Sequence, residues 1–362
     1  MSSKDNLENL ESMNKNNINW YPGHMYKTKK ELEKVISDVD IVLELADARA
    51  PLASFNEDIQ DIISKKQSII LLNKKDLADK VETKNWIEFL EKKYQNTKVL
   101  DINAASKGDA KKILKEIKEN KYIKEKTEKE KSKGIENPKI NILIVGVPNV
   151  GKSTLINNFV GKNSQEVKNI PGVTKKNKWI RTKDNINILD TPGILWPKLE
   201  ENTGMYLASI GSIKIDLVDK IELSNFILKK IISGGYGKLL EKRYGLEGDK
   251  NIEDIKKISN NIDILVNNIK ILSENLDNIK EYKDLERGEK IRRRDEKIAE
   301  YVNNLFDYNF VFNAKIYDLF IKIGEKRGFL KKGNAIDEEK TASVIINEFQ
   351  KGVIGKITLQ KV

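Results

Sequence analysis

The sequence predicts a doubly wound, mainly parallel α/β sheet followed by an all-α region. Three observations predict it. First, apolar, β-branched runs recur, each ending in polar or glycine-rich residues: DIVLELADARAP (40–51), SIILLNKKD (68–76), KVLDINAAS (98–106), INILIVGVPNVGKS (140–153) and NINILDTPG (185–193). Second, helix-like segments at 54–66, 79–95 and 108–124 separate the first four runs, and strands alternating with helices indicate a parallel sheet covered on both faces. Third, after about residue 200 the strand pattern stops and helical periodicity takes over.

Taken in order, residues 1–17 are polar, have no apolar core and read as a disordered leader. Residues 18–200 carry the sheet pattern. Within them 119–138, ENKYIKEKTEKEKSKGIENP, is charged throughout and reads as a solvated linker or a frayed helix end. Residues 201–362 form the helical region. There Ile252, Ile255, Ile258, Ile262, Leu265, Ile269, Leu272, Leu276 and Ile279 recur mostly at alternating spacings of three and four. That is the seam of a long helix, expected to pack as a hairpin on its own domain rather than as an intermolecular coiled coil.

Composition narrows the class. The chain has 66 Lys+Arg against 55 Asp+Glu, a formal charge of +11, and such an excess points to polyanionic partners, above all nucleic acid. There is no cysteine, which excludes disulfides, iron–sulfur clusters and thiolate zinc sites. No apolar run approaches the ~20 residues needed to span a bilayer.

The loops at the carboxyl ends of the strands should converge on one site, because ligands of open α/β sheets bind there. GVPNVGKST (146–154) has the G-x-x-x-x-G-K-[ST] spacing after a strand and before a helix. Its backbone N–H groups from Asn149, Val150 and Gly151 through Thr154 would cradle phosphates. Lys152 would reach the β- and γ-phosphate oxygens, and Ser153 would bind Mg²⁺. Asp190, in DTPG, is a second Mg²⁺ residue; Gly193 can sense a γ-phosphate; and Thr174, in NIPGVTKK, is a candidate switch threonine closing on both. NKKD (73–76) is the base site. The Asp76 carboxylate can accept from the two N–H donors of guanine, which adenine does not offer. Asn73 would meet the other edge, the stem of Lys74 would cover the ring, and Lys75 lies between Lys74 and Asp76. Asn103 and Ala104, in INAAS, would offer backbone amides to the guanine oxygen. Asp47 and Arg49, in DARAP, would form an ion pair bracing the switches; a sharper alternative is an arginine aimed at the γ-phosphate.

Base motifs before the P-loop reverse the usual order, so the sheet is expected to be circularly permuted, with 119–138 joining the old ends. The set NWYPGHM, DARAP, NKKD, GVPNVGKST, PGVTK, DTPGILWPK, GEKRGFL (324–330) and GKITL (355–359) resembles the ribosome biogenesis GTPase A family, from about residue 18 to the C-terminus. The resemblance implies GTP hydrolysis with GTP/GDP and Mg²⁺, use of potassium through Asn149, late maturation of a large ribosomal subunit precursor, activation by that particle, and a helical domain that contacts ribosomal RNA. It implies a monomer acting in the cytoplasm, away from membranes. Residues 250–310, including KIRRRDEK (290–297), look longer than the family's usual domain and read as an insertion.

One chemical role remains. Ras-type enzymes orient the attacking water with a glutamine after the DTPG-like motif. Here Ile194 stands there, and an aliphatic chain cannot do it. His24, the only histidine, is a neutral imidazole that can. The resemblance also points to this histidine as catalytic; the other reading is a structural residue of an aromatic-rich turn. Against the enzyme stands a second class, an RNA-binding factor that uses GTP only as a structural switch, and a third, a permuted GTPase acting on another RNA.

Overall fold

A computed structural model describes residues 32–55, 57–95, 97–161, 165–166, 178–182, 185–190, 201–274 and 286–362. Contacts divide the chain into two units, one holding the described residues up to Val218 together with Gln350–Val362, the other running over Asp219–Phe349.

The first unit is built on β1 (Ile41–Asp47), whose seven residues are all buried. A strand covered on both faces needs such an unbroken run. Val42 and Ala46 share one face by the two-residue period of a strand. On it Val42 packs with Ile59 and Ile63 of α2 (Glu57–Ile63), and Ala46 with Trp86 and Leu90 of α3 (Lys80–Lys93). α1 is the short turn Pro51–Ser54 at the end of β1. β2 (Gln67–Asn73) pairs in parallel with β1 and, along its other edge, with β3 (Lys98–Asp101), and on its far side β1 pairs in parallel with β4 (Ile140–Gly146). Beyond β4 lies β7 (Ile186–Asp190), also parallel. Then β6 (Lys178–Arg181) and the two-residue β5 (Gln165–Glu166) run antiparallel. The order is β3-β2-β1-β4-β7-β6-β5.

The expected mainly parallel sheet is present, and its permutation is visible. The P-loop strand β4 is flanked by β1, which precedes it in sequence, and β7, which follows it. The antiparallel edge pair went unread, since β5 is two residues long and gives no alternation to detect.

The charged segment is more ordered than a linker. After α4 (Lys107–Glu119), Asn120 caps α5 (Lys121–Ser132) by accepting from the amides of Tyr122 and Ile123. Ile123 is buried, and Lys126 Nζ reaches Asp40 Oδ2 at 2.6 Å and the Lys139 carbonyl at 2.7 Å. A single apolar residue and one lysine therefore dock this helix beside the starts of β1 and β4, where the permutation joins the chain.

The expected boundary at 200/201 also moves. α7 (Glu201–Ser209) buries Met205, Leu207 and Ala208, and the last residues bury Ile354, Ile357 and Leu359; both segments group with the sheet unit. Helical periodicity shows that a face is buried but not against which core.

The second unit is helical: α8 (Lys220–Ser233), α9 (Gly237–Tyr244), α10 (Lys250–Glu274), α11 (Arg287–Lys326) and α12 (Glu338–Gln350). α10 and α11 pack as the expected hairpin within the chain, with Leu272 and Ile298 at its seam and Tyr301 and Val302 beside them. The first glycine of GEKRGFL permits a close approach: a Cβ on Gly324 would lie 2.8 Å from Thr341 Oγ1. In the same motif Arg327 pairs with Glu348 at 2.8 Å and lies over the Tyr244 ring. The arginines of KIRRRDEK pair with Glu289 and Asp295 on their own helix, the pattern of a solvated face.

Candidate nucleotide site

β4 ends in the phosphate loop, and α6 (Lys152–Val160) begins there. Two glycines are demanded by geometry. Gly146 has φ 151°, and a Cβ there would lie 2.5 Å from the Leu45 carbonyl; Gly151 has φ 112°, and a Cβ would collide with the Asn73 amide nitrogen. Both are backbone conformations that L side chains rarely adopt. Lys152 is almost fully buried, its Nζ donating to the carbonyls of Gly146 and Val147 at 2.9 and 3.0 Å. A buried ammonium needs such acceptors. Its position inside the loop is where phosphate oxygens would compete for it. Val150 is buried, whereas Ser153 and Thr154 are exposed in the first turn of α6. There the start of a helix and its dipole favour an anion.

The base motif follows β2. Ala48 N donates to Asn73 O and Ile102 N to Leu72 O, so the DARAP and INAAS loops are stitched to the β2 end. Lys74 has φ 62°, a turn that leaves Asp76 exposed at the rim. The Asn73 side chain does not face outward. Its Nδ2 donates to Val150 O at 2.6 Å and its Oδ1 accepts from Ala104 N at 2.8 Å, so it ties the phosphate loop to the INAAS loop. Asn103 N donates to Asp109 Oδ2 at 2.7 Å. These two amides, expected to meet a base, are here paired with protein acceptors, Ala104 N with Asn73 and Asn103 N with Asp109, because a buried N–H must find an acceptor. Lys75 also turns away, pairing with Asp109 at 3.0 Å. The sequence held a sign of this second layer: Ser106 and Asp109 have capping-box spacing, and the Ser106 hydroxyl accepts from Asp109 N.

Arg49 is not an arginine reaching for phosphate. It is fully buried, and its fork closes on Asp47 at 2.9 and 2.8 Å; Asp47 also holds Lys74 Nζ at 2.9 Å. Burial alone would raise the Asp47 pKa, but the charges of Arg49 and Lys74 outweigh it and hold the carboxyl well below the usual carboxylate range. Asn149 has φ 55° and donates from Nδ2 to Gly211 O at 2.9 Å.

Residues 141–303 match the family model described as "50S ribosome-binding GTPase". Over 345 residues the chain is 34% identical to ribosome biogenesis GTPase A of Bacillus licheniformis, covering 95% of this chain and 98% of that relative. The chain belongs to the ribosome biogenesis GTPase A family. The chain is also 33% identical to ribosome biogenesis GTPase A of Bacillus cereus, over 95% of this chain and 93% of that relative. Its fold is shared with the GNP-bound YlqF from T. maritima, at a TM-score of 0.52 and 23% identity, covering 92% of this chain and 98% of that one. Membership makes it a GTP hydrolase that binds guanine nucleotide.

The rest of the expected site divides unevenly. Asp190 is the last residue of β7, where its backbone lies opposite Ile144, two residues before the first glycine of the phosphate loop. His24, Thr174, Gly193 and Ile194 lie outside the described residues, as do NWYPGHM and PGVTK. Among the described residues no helix is long and apolar enough to cross a membrane.

Proposed function

We propose that this GTPase binds a precursor of the large ribosomal subunit and couples GTP hydrolysis to a late step of its maturation. The observation that carries the reading is the match of residues 141–303 to a family model described as a 50S ribosome-binding GTPase. The excess of basic over acidic residues, +11 in all, supports a ribosomal RNA partner. The protein acts as a monomer in the cytoplasm.

In this reading the amides from Asn149 to Thr154 hold the phosphates and Asp76 selects guanine. Lys152 moves from the loop carbonyls onto the β- and γ-phosphates, so one buried cation serves two sets of oxygens. Mg²⁺ fits the oxygens present: the Ser153 hydroxyl is exposed at a helix start and Asp190 ends the neighbouring strand. Ser153, Asp190 and Thr174 would hold it, and when bound it supplies charge neutralisation at the β- and γ-phosphates. Asn149 uses its amide nitrogen on Gly211, which leaves Oδ1 as the oxygen for K⁺. Gly193 donates to the γ-phosphate. His24 orients the attacking water that Ile194 cannot, and the ribosomal particle raises the rate.

Sedimentation of the tagged protein from lysate tests the partner. Co-migration with a large-subunit precursor is expected with a non-hydrolysable GTP analogue and not with GDP; no association with any ribosomal particle would refute the reading. Single-turnover hydrolysis with and without large subunits separates the activated enzyme from a factor that uses GTP only as a structural switch. His24→Ala should keep GTP binding and lose the particle-stimulated rate.

A further inference from the structure

The C-terminal segment of the sheet unit returns to the base motif along a line of specific bonds. Ile357 N donates to Leu77 O at 3.1 Å, and Leu359 N to Arg49 O at 2.7 Å. The fully buried Thr358 hydroxyl donates to Ala48 O and accepts from Asp79 N, both at 3.2 Å. Trp86 Nε1 donates to Gln360 O at 2.8 Å, and Ala53 N to Gln360 Oε1 at 3.0 Å. Leu77 directly follows Asp76 and Asp79 comes three residues after it, so this segment is bonded to the backbone that carries the guanine-selecting carboxylate.

Arg49 stands at the centre. Beyond its fork on Asp47 it donates to Gln350 O at 3.1 Å and to Ile210 O at 3.0 Å. Gln350 Nε2 in turn donates to Ala208 O at 3.1 Å. The residue after Ile210, Gly211, accepts from Asn149 of the phosphate loop. One guanidinium therefore joins the chain on both sides of its excursion through residues 219–349 to the carboxylate that holds Lys74. Its bidentate geometry suits Arg and not Lys.

We propose that Arg49 is a positioning residue of the guanine site, and that the C-terminal segment 350–361 supports it. This rests on the reading of Asp76 and Lys74 as base contacts. Arg49 touches no nucleotide. It orients Asp47, Asp47 fixes the Lys74 ammonium, and the Lys74 stem is thereby held where it covers the purine face. The consequence is a particular loss pattern. A ring-covering contact serves any purine, whereas Asp76 reads the guanine N–H groups. Removing Arg49 should therefore weaken guanosine and inosine nucleotides alike, while Asp76→Asn should weaken guanosine most, since inosine lacks the exocyclic amine.

The experiment is titration of GDP and IDP into the full chain, with steady-state GTP hydrolysis and an unfolding midpoint for each variant. Arg49→Lys is expected to weaken GDP and IDP equally, about tenfold, to raise KM for GTP by the same factor, and to leave kcat within about twofold. Combined with Lys74→Met, it should cost no more than Lys74→Met alone, since the two act through one contact. Thr358→Val, at the far end, should weaken GDP about threefold. GDP affinity of Arg49→Lys within about twofold of wild type, or full additivity with Lys74→Met, overturns the proposal. Should Arg49→Lys not fold, Thr358→Val decides: unchanged GDP affinity overturns it. A wild-type chain that binds no GDP, or an Asp76→Asn variant that binds it normally, removes the guanine reading itself. An impaired Asp76→Asn beside an unaffected Arg49→Lys removes only this inference.

Discussion

The nucleotide-bearing sheet and the α10–α11 hairpin bury their residues in opposite ways. All seven residues of β1 are buried, even the ionisable Glu44 and Asp47. α11 is 40 residues long, yet its buried positions crowd into the end from Phe312 to Gly324, with Ile298 alone before them. Along the rest, Phe306 and Phe310 are 61% and 74% exposed, and Ile264 of α10 is 57% exposed. A sheet covered on both faces leaves no side of its central strands to solvent. Two helices packed on each other bury only their shared seam. The sheet can thus force buried charged groups into pairs, as it does Asp47 with Arg49 and Lys74. The distal hairpin cannot, and no site residue falls on it.

That contrast can be broken at four points. The largest effect belongs where α11 enters its core: Phe320→Ala should cost about 3–5 kcal/mol in denaturant unfolding of the helical unit. Next is the phosphate loop. Gly151→Ala drives a Cβ into the Asn73 amide, and GDP affinity should fall about a hundredfold or more, measured by calorimetry, with the circular dichroism unchanged.

The third prediction concerns Glu44. Burial pushes its carboxyl up to about 8, only partly offset by the hydrogen bond from Gln60. The folded chain then holds a proton that the unfolded chain has released. The contribution is fully present below about pH 4.5 and is lost as pH rises to about 8. Glu44→Gln removes that dependence. Its stability relative to wild type should climb across this window by a few kcal/mol, at about 1.4 kcal/mol per unit, as read from denaturant midpoints in a pH series. The smallest effect is expected at the exposed end: Phe310→Ser should change stability by less than about 0.5 kcal/mol. A loss comparable to that of Phe320→Ala would mean that the distal hairpin is as tightly packed as the core, and the comparison would fail.

Much of this was legible in the chain. The alternation of apolar runs with helices located β1 to β4 and β7, and the order of NKKD before GVPNVGKST announced the permutation, since a motif travels with its strand. The spacing of the P-loop glycines stated a backbone requirement, and the two φ values bear it out. What the motifs did not disclose is who holds whom. Asn73 reads as a base contact but spends its amide on Val150 and Ala104. Arg49 reads as the partner of Asp47 and is so paired, but nothing in DARAP shows that it also donates to Gln350 and Ile210. The charged stretch reads as a solvated linker or a frayed helix end, and neither reading tells that Ile123 and Lys126 dock it as α5.

The sequence by itself determined the fold class, the permuted order and the two loops that carry the nucleotide chemistry, because those depend on local period and on short fixed spacings. Only the tertiary structure decided that residues 350–361 belong to the sheet unit and that Arg49 joins Gln350 and Ile210 to Asp47. Partners 161 and 301 residues apart leave no periodic trace in the chain. They are chosen when a buried guanidinium, cut off from water, must find every acceptor the packed fold brings within reach.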